Sequence, residues 1–223
     1  AEAEAFIHWD EDDPAEVPTN CAACHSTPGY QDYLGADGSE MFVVDEPAPI
    51  GTTVECVACH NEAAMSLNTL PFPSGITLTV DGPEARCMVC HQGRAAGATV
   101  DNAIAEAGLE DMDTTSEDLG FTNIHYFAAA ASLYGTLVDG GYQYEGKAYD
   151  AKFDHVEGLD ACAQCHSPHT LALQAEQCSQ CHTESDPKDI RMAGSLVDYD
   201  GDGDMEEGVY YEIETFQEML YGA

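Results

Sequence analysis

The sequence predicts a mostly irregular coil with short α-helices and a few short β-hairpins. Three observations predict it. All ten cysteines of the 223-residue chain lie in five copies of one run, C-x-x-C-H. Divided among those five runs, the chain gives about 45 residues to each, too few for every site to build a conventional apolar core. The stretches of strand-like composition are short and bracketed by proline and glycine, which confines them to edge strands or extended loops.

The runs are CAACH (Cys21, Cys24, His25), CVACH (Cys56, Cys59, His60), CMVCH (Cys87, Cys90, His91), CAQCH (Cys162, Cys165, His166) and CSQCH (Cys178, Cys181, His182). This run attaches c-type haem: two thiols bond the porphyrin edge and the adjacent imidazole ligates the iron. Two residues between the thiols let both reach the ring edge, and the next side chain then points beneath the ring. A thioredoxin-like redox pair, a zinc site or a disulfide framework would also use C-x-x-C. None of them explains a histidine after the second cysteine five times in five. The expected cofactors are therefore five covalently bound haem c groups, and the fold is expected to be organised around a stacked haem chain that forms much of its own core.

Along the chain, successive motifs start 35, 31, 75 and 16 residues apart, giving a group of three, a long insertion and a group of two. Residues 1–223 are read as a single elongated pentahaem unit. Haem sites 1 to 3 fall within 1–100, the insertion within 101–155, sites 4 and 5 within 156–190, and an acidic loop with a C-terminal helix within 191–223. In the first group, Met41 to Val44 and Ile76 to Val80 have strand-like composition. The insertion predicts helices over Val100 to Leu109 and Thr122 to Leu133, the second capped by Thr122 or Asn123 and ending near Gly135. Glu145-Gly146 between Tyr142 to Tyr144 and Lys147 to Phe153 predicts a hairpin. The last helix, Glu212 to Tyr221, places Ile213, Phe216 and Leu220 on one face, for ordinary packing or for docking another subunit.

Nine histidines minus five proximal ligands leaves His8, His125, His155 and His169 for the distal faces. Four imidazoles cannot saturate five irons, so one iron is open or takes a different ligand. Met65 and Met192 are the methionines to test there, against gap filling as the ordinary role of methionine. Met88, between Cys87 and Cys90, is not expected to reach a distal face. His125 lies in an apolar stretch where a satisfied core histidine is the alternative. His169 is expected to serve a neighbouring haem, because His166 already fixes that segment on the proximal side of its own. His8 is a ligand candidate for a haem of this chain or of an adjacent subunit.

Near the C-terminus, DYDGDGDMEEG alternates Asp198, Asp200, Asp202 and Asp204, with Gly203 permitting the turn. The spacing matches positions 1, 3, 5 and 7 of an EF-hand-type calcium loop, in which alternate oxygens wrap a hard cation. Position 12 is Val209, so Glu207 is expected to take the bidentate role; a solvated acidic turn is the alternative. A bound calcium ion there would be structural.

The formal net charge of −36, from 42 acidic and 6 basic residues, argues against nucleic acid or anionic membranes as partners. It favours divalent cations, a basic redox partner, or simple solubility. No stretch approaches the ~20 apolar residues that span a bilayer. The opening Ala1-Glu2-Ala3-Glu4-Ala5 reads as a mature end left after cleavage of a leader, or as residues added for expression.

The five motifs, with NIHYFAAAASLYG, CAQCHSPHT and SLVDYDGDGD, resemble the multihaem c-type cytochromes of bacteria and archaea, and the exported ones of anaerobes in particular. That resemblance implies an extracytoplasmic, secreted protein, periplasmic or extracellular, that transfers electrons between a donor and an acceptor along close-packed haems. Some extracellular relatives polymerise through haem–haem contacts into filaments, which implies a homopolymer here. The other readings are a discrete periplasmic shuttle and a multihaem reductase of a small nitrogen or oxyanion substrate at the incompletely ligated haem. The pentahaem nitrite reductases differ in their C-x-x-C-K site, which is missing: Lys147, Lys152 and Lys188 all lie outside the motifs.

Overall fold

The computed structural model describes residues 4–111, 113–184, 186–191 and 194–223. Helices are short and strands few. The chain forms two compact units, Ala1–His155 and Val156–Ala223.

The first unit runs α1 (Glu4–Ile7), β1 (Glu16–Val17), α2 (Thr19–His25), α3 (Thr27–Tyr33), β2 (Ala48–Pro49), α4 (Cys56–Cys59), α5 (Glu62–Ser66), β3 (Thr69–Pro71), β4 (Thr77–Thr79), α6 (Ala85–His91), α7 (Gly97–Glu106) and α8 (Ala129–Tyr134). The strands form two antiparallel pairs: β1 with β2, joining Val17 to Ala48, and the β3–β4 hairpin, joining Leu70 to Leu78. Local chemistry sets the helix starts. Ser26 caps α3 by accepting the Gly29 N–H at 2.9 Å, and Asn61 caps α5 by accepting the Ala64 N–H at 2.8 Å. At α7, Asp139 reaches across to accept the Ala98 N–H at 3.0 Å, while Thr99 Oγ1 accepts the Ala96 N–H.

The core of this unit is small. Leu34, Leu70, Met88, Val89 and Val138 are its largest fully buried apolar side chains, and Tyr30, Phe72 and Tyr134 close around them. Met88 is thus packed inside, in keeping with its placement between two cysteines. A second cluster, Val17, Ala22 and Ala48 with Trp9, lies under motif 1.

Two sequence expectations meet the structure well here: α7 and β4 fall where helix and strand are predicted, with α7 beginning three residues early. Met41 to Val44 takes the loop alternative, with Phe42 at φ 69°. Two expectations are corrected. The helix predicted from Thr122 starts only at Ala129, because His125 (φ 83°) and Phe127 (φ 54°) sit in the left-handed region that no helix accommodates. Around Glu145-Gly146 the turn forms, with the Lys147 N–H on the Tyr144 carbonyl at 3.2 Å, but no ladder follows among the described residues.

The second unit contains α9 (Cys162–Cys165), 3₁₀ turns at Ala175–Gln180 and Pro187–Asp189, and α10 (Val209–Gly222). Among its described residues no apolar side chain is buried, and the buried side chains are two acids, Asp200 and Glu212. Helix α10 forms where predicted, but its apolar stripe is not used for packing: Ile213, Phe216 and Leu220 are all exposed.

Candidate haem and metal sites

Each motif occupies about one helical turn. Motifs 1 and 3 are the ends of α2 and α6, motifs 2 and 4 are α4 and α9 with His60 and His166 just past the last turn, and motif 5 straddles the 3₁₀ turn Ala175–Gln180. Helical spacing puts the two thiols of a motif, three residues apart, on one face. None of the ten is in a disulfide, and each is partly or fully exposed.

Two motif histidines have their tautomer set. The His25 Nδ1–H donates to the Ala5 carbonyl at 2.7 Å, and the His91 Nδ1–H donates to the Phe127 carbonyl at 2.8 Å. A carbonyl only accepts, so Nδ1 carries the proton and Nε2 keeps its lone pair for a metal. This is the outer hydrogen bond that orients metal-ligating imidazoles.

The first three motifs converge. α2 packs on α6, with the Cys24 thiol 3.5 Å from the Val89 carbonyl and the Cys90 thiol 4.0 Å from the Cys24 carbonyl. Arg86 at the start of α6 reaches the Cys59 carbonyl of motif 2 at 3.5 Å. Tyr30 lies among them, donating to the Arg86 carbonyl at 3.0 Å. Burial, and then the thiols of Cys90, Cys59 and Cys87, hold its phenol proton well above the ordinary tyrosine range. In the second unit, the Gln174 N–H donates to the Cys165 carbonyl at 2.8 Å, which sets the 3₁₀ turn of motif 5 beside motif 4, and burial followed by Cys178 and Cys162 raises Cys165.

The four spare histidines differ in setting. His125 is half-buried, with its ring centroid 5.9 Å from that of His25 and its Nδ1 buried without a hydrogen-bond partner among the described residues. Burial, then Arg94 and His25, lowers its basicity. His8 is exposed, edge-on to Trp9, which itself packs on His25; that contact and the Ala5–His25 bond hold the N-terminal segment. His155 is exposed, and so is His169, at the tip of the loop closed by the His166–Leu173 bridge. Of the methionines, Met65 is exposed with its sulfur 3.1 Å from Arg86 Nη1, and Met192 lies outside the described residues.

The residues fit haem c. Thiol pairs on one helical face, the imidazoles of His25 and His91 anchored through Nδ1, and exposed apolar side chains beside the sites (Tyr126 and Phe127 next to His125 and His91) are what an apolar macrocycle with axial ligands requires.

In the acidic loop, Asp198 accepts the Gly201 N–H at 2.6 Å and the Gly203 N–H at 3.0 Å, and Gly203 takes the φ of 99° that the turn needs. Two acidic trios have ligand atoms within 4.8 Å of one another: Asp200, Asp202 and Glu207, and Asp198, Asp200 and Glu212. Asp204 belongs to neither and instead accepts the Glu206 N–H at 2.8 Å. Asp200 Oδ2 and Glu207 Oε1 are buried without a hydrogen-bond partner among the described residues. Burial and then the surrounding carboxylates of Asp202 and Asp200 raise Glu207. Glu212 lies beyond position 12 of the loop pattern, and an acid in the first turn of the following helix is the sequence signal that marks it.

No protein-family model matches the chain, and no solved structure matches it. Among curated proteins it is 28% identical over 211 residues to the C-type polyheme cytochrome OmcC of Geobacter sulfurreducens, a match covering 74% of this chain and 26% of that protein. It is also 28% identical over 177 residues to the C-type polyheme cytochrome OmcB of the same species, covering 65% of this chain and 22% of the relative. The chain thus spans about a quarter of the length of the curated relatives it matches.

Proposed function

We infer that this chain, a multihaem c-type cytochrome, carries five haems and passes electrons among them. The observation that carries the reading is the convergence of motifs 1, 2 and 3 around α6 and Tyr30, with motif 5 beside motif 4. Bound haem supplies a one-electron ferric/ferrous couple. The chain does the rest. Its ten cysteines hold the groups covalently, and His25, His60, His91, His166 and His182 offer proximal nitrogens. His8, His125, His155 and His169 serve as distal ligands, which leaves one iron of five with another ligand or none.

We read the protein as exported, because covalent haem attachment is extracytoplasmic in the cytochromes it resembles. Among the described residues, no helix is long and apolar enough to cross a membrane. Self-assembly into a filament is supported by the exposed apolar stripe of α10 and by the exposed His8 at the other end of the chain. A calcium ion bound by Asp198, Asp200, Asp202 and Glu207, closed by Glu212, is supported by the two acidic trios and the unpartnered Asp200 Oδ2.

Mass spectrometry of the haem-loaded protein tests the core of the reading, with five covalent haems expected; fewer would contradict it. Exposure of the reduced protein to carbon monoxide then reads the odd iron. A spectral change confined to one haem in five fits electron transfer with one incompletely ligated site, and turnover of nitrite there would move the assignment to a reductase.

A further inference from the structure

The first haem site lacks an assigned distal ligand, and four histidines compete for it. Among the described residues, the rings near His25 are those of Phe6, Trp9 and His125, and of these only His125 can ligate a metal. An imidazole nitrogen lies about 2 Å from a first-row metal it binds, so two rings on opposite sides of one iron have centroids roughly 6 Å apart. The His25 and His125 centroids are 5.9 Å apart. His125 also carries two marks of a residue held for a purpose. Its Nδ1 is buried with no hydrogen-bond partner among the described residues, and its backbone sits at φ 83°, a strained region for a non-glycine residue. The strain is maintained by specific bonds. Asn123 Oδ1 accepts the His125 N–H at 2.8 Å, and the Ile124 carbonyl accepts the Arg94 N–H at 3.0 Å.

We propose that His125 is the distal partner of His25 on the first haem, so that the segment Ile124–Ala128 clamps haem sites 1 and 3 together. Two residues after His125, the Phe127 carbonyl holds the proximal His91 of site 3 at 2.8 Å. One turn of chain therefore sets the distal side of one site and the proximal side of another, and the α2–α6 contact through Cys24 and Val89 brings the same two sites together from below. The neighbour of site 1 is then site 3 as well as site 2, an order that sequence spacing does not give. The proposal rests on the reading of the chain as a five-haem cytochrome.

The test uses the full haem-loaded protein. Wild type is first weighed for five haems; a shortfall there would overturn the cytochrome reading itself. With five present, His125→Gly is expected to convert one haem in five from low to high spin, restored by added imidazole, and His125→Met to keep that haem low-spin while raising its potential. The decisive step combines His125→Gly with His25→Gly. Whether the His25→Gly protein keeps its first haem or loses it, adding His125→Gly is expected to leave the number of vacated irons unchanged, because both residues serve one iron. A newly high-spin haem in the double variant, or an unchanged spectrum in the single His125 variants, overturns the pairing while leaving the five-haem count intact.

Discussion

Arg191 and Glu212 form an ion pair at 2.6 Å, and Glu212 is only 1% exposed. The pair ties the chain after motif 5 to the first turn of α10. The other oxygen of Glu212 accepts the Tyr199 and Asp200 N–H groups at 2.7 and 3.1 Å, so one carboxylate anchors both helix and acidic loop. Burial opposes its charge, but Arg191 and then the two N–H groups outweigh it and hold the carboxyl below its usual range. A depressed carboxyl contributes stability that is present above its unfolded value and lost as pH falls through the folded one. Acid titration of thermal stability is expected to show this loss below the ordinary carboxylate range, and Glu212→Gln is expected to lower the melting temperature at neutral pH and remove that acid limb.

Cation binding is expected to act on the same region in the opposite sense to charge repulsion. Glu207 is raised by burial and by its acidic neighbours, so its contribution to stability is present at low pH and falls as pH rises through the folded value, unless a cation neutralises the cluster. Calcium at a hundred times its Kd is expected to stabilise the fold by about 2.7 kcal/mol, and chelation to remove that gain. Terbium emission sensitised by Tyr199 offers a direct probe. Asp200→Asn is expected to weaken it strongly and Asp204→Asn little, since Asp204 stands outside both trios.

Gly93 is where the clamp between haem sites depends on having no side chain. It sits at φ 83°, and a Cβ there would meet Ile124 Cγ1 at 2.8 Å and the Ile124 carbonyl at 3.0 Å. Gly93→Ala is expected to cost about 1–3 kcal/mol through overpacking and backbone strain. It also pushes away the segment bearing His125 and the Phe127 carbonyl, so calorimetry is expected to show destabilisation and the haem absorption spectrum a loss of low-spin signal.

This segment also marks where sequence reasoning ran out. The motifs were legible because cysteine and histidine spacing is itself the chemistry. Helices α7 and α10 were legible from periodicity and punctuation. The stretch from Thr122 reads as helix because its residues, NIHYFAAAASLYG, are apolar and alanine-rich, and no glycine marks the left-handed backbone at His125 and Phe127. That backbone is set by bonds to distant partners, Arg94 and His91, which local propensity cannot register. Glu212 escaped for a similar reason: its role depends on α10 folding back onto the loop.

Ser26 gives a control that separates stability from haem ligation. It follows His25 directly, is buried, donates to the Ala22 carbonyl at 3.1 Å and caps α3 through the Gly29 N–H. Ser26→Ala is expected to cost about 1 kcal/mol, as loss of a helix cap does. Because the His25 ring is held from the other side by the Ala5 carbonyl, the haem spectrum is expected to stay unchanged while the melting temperature drops.

The α10 stripe decides between the two forms of the proposed electron carrier. Ile213, Phe216 and Leu220 recur at helical spacing, yet all three are exposed while the one buried side chain of the helix is the acid Glu212. Exposing a row of large apolar groups costs solubility unless a second surface covers them. If the covering surface is another copy of the chain, Phe216→Asp with Leu220→Asp is expected to dissolve filaments into single particles in negative-stain electron microscopy while leaving the haem spectrum untouched. Neither change reaches Glu212, so folding of the helix is preserved as the internal check. Filaments that persist in this variant would show that α10 is not the assembly face, and would move attention to the exposed His8.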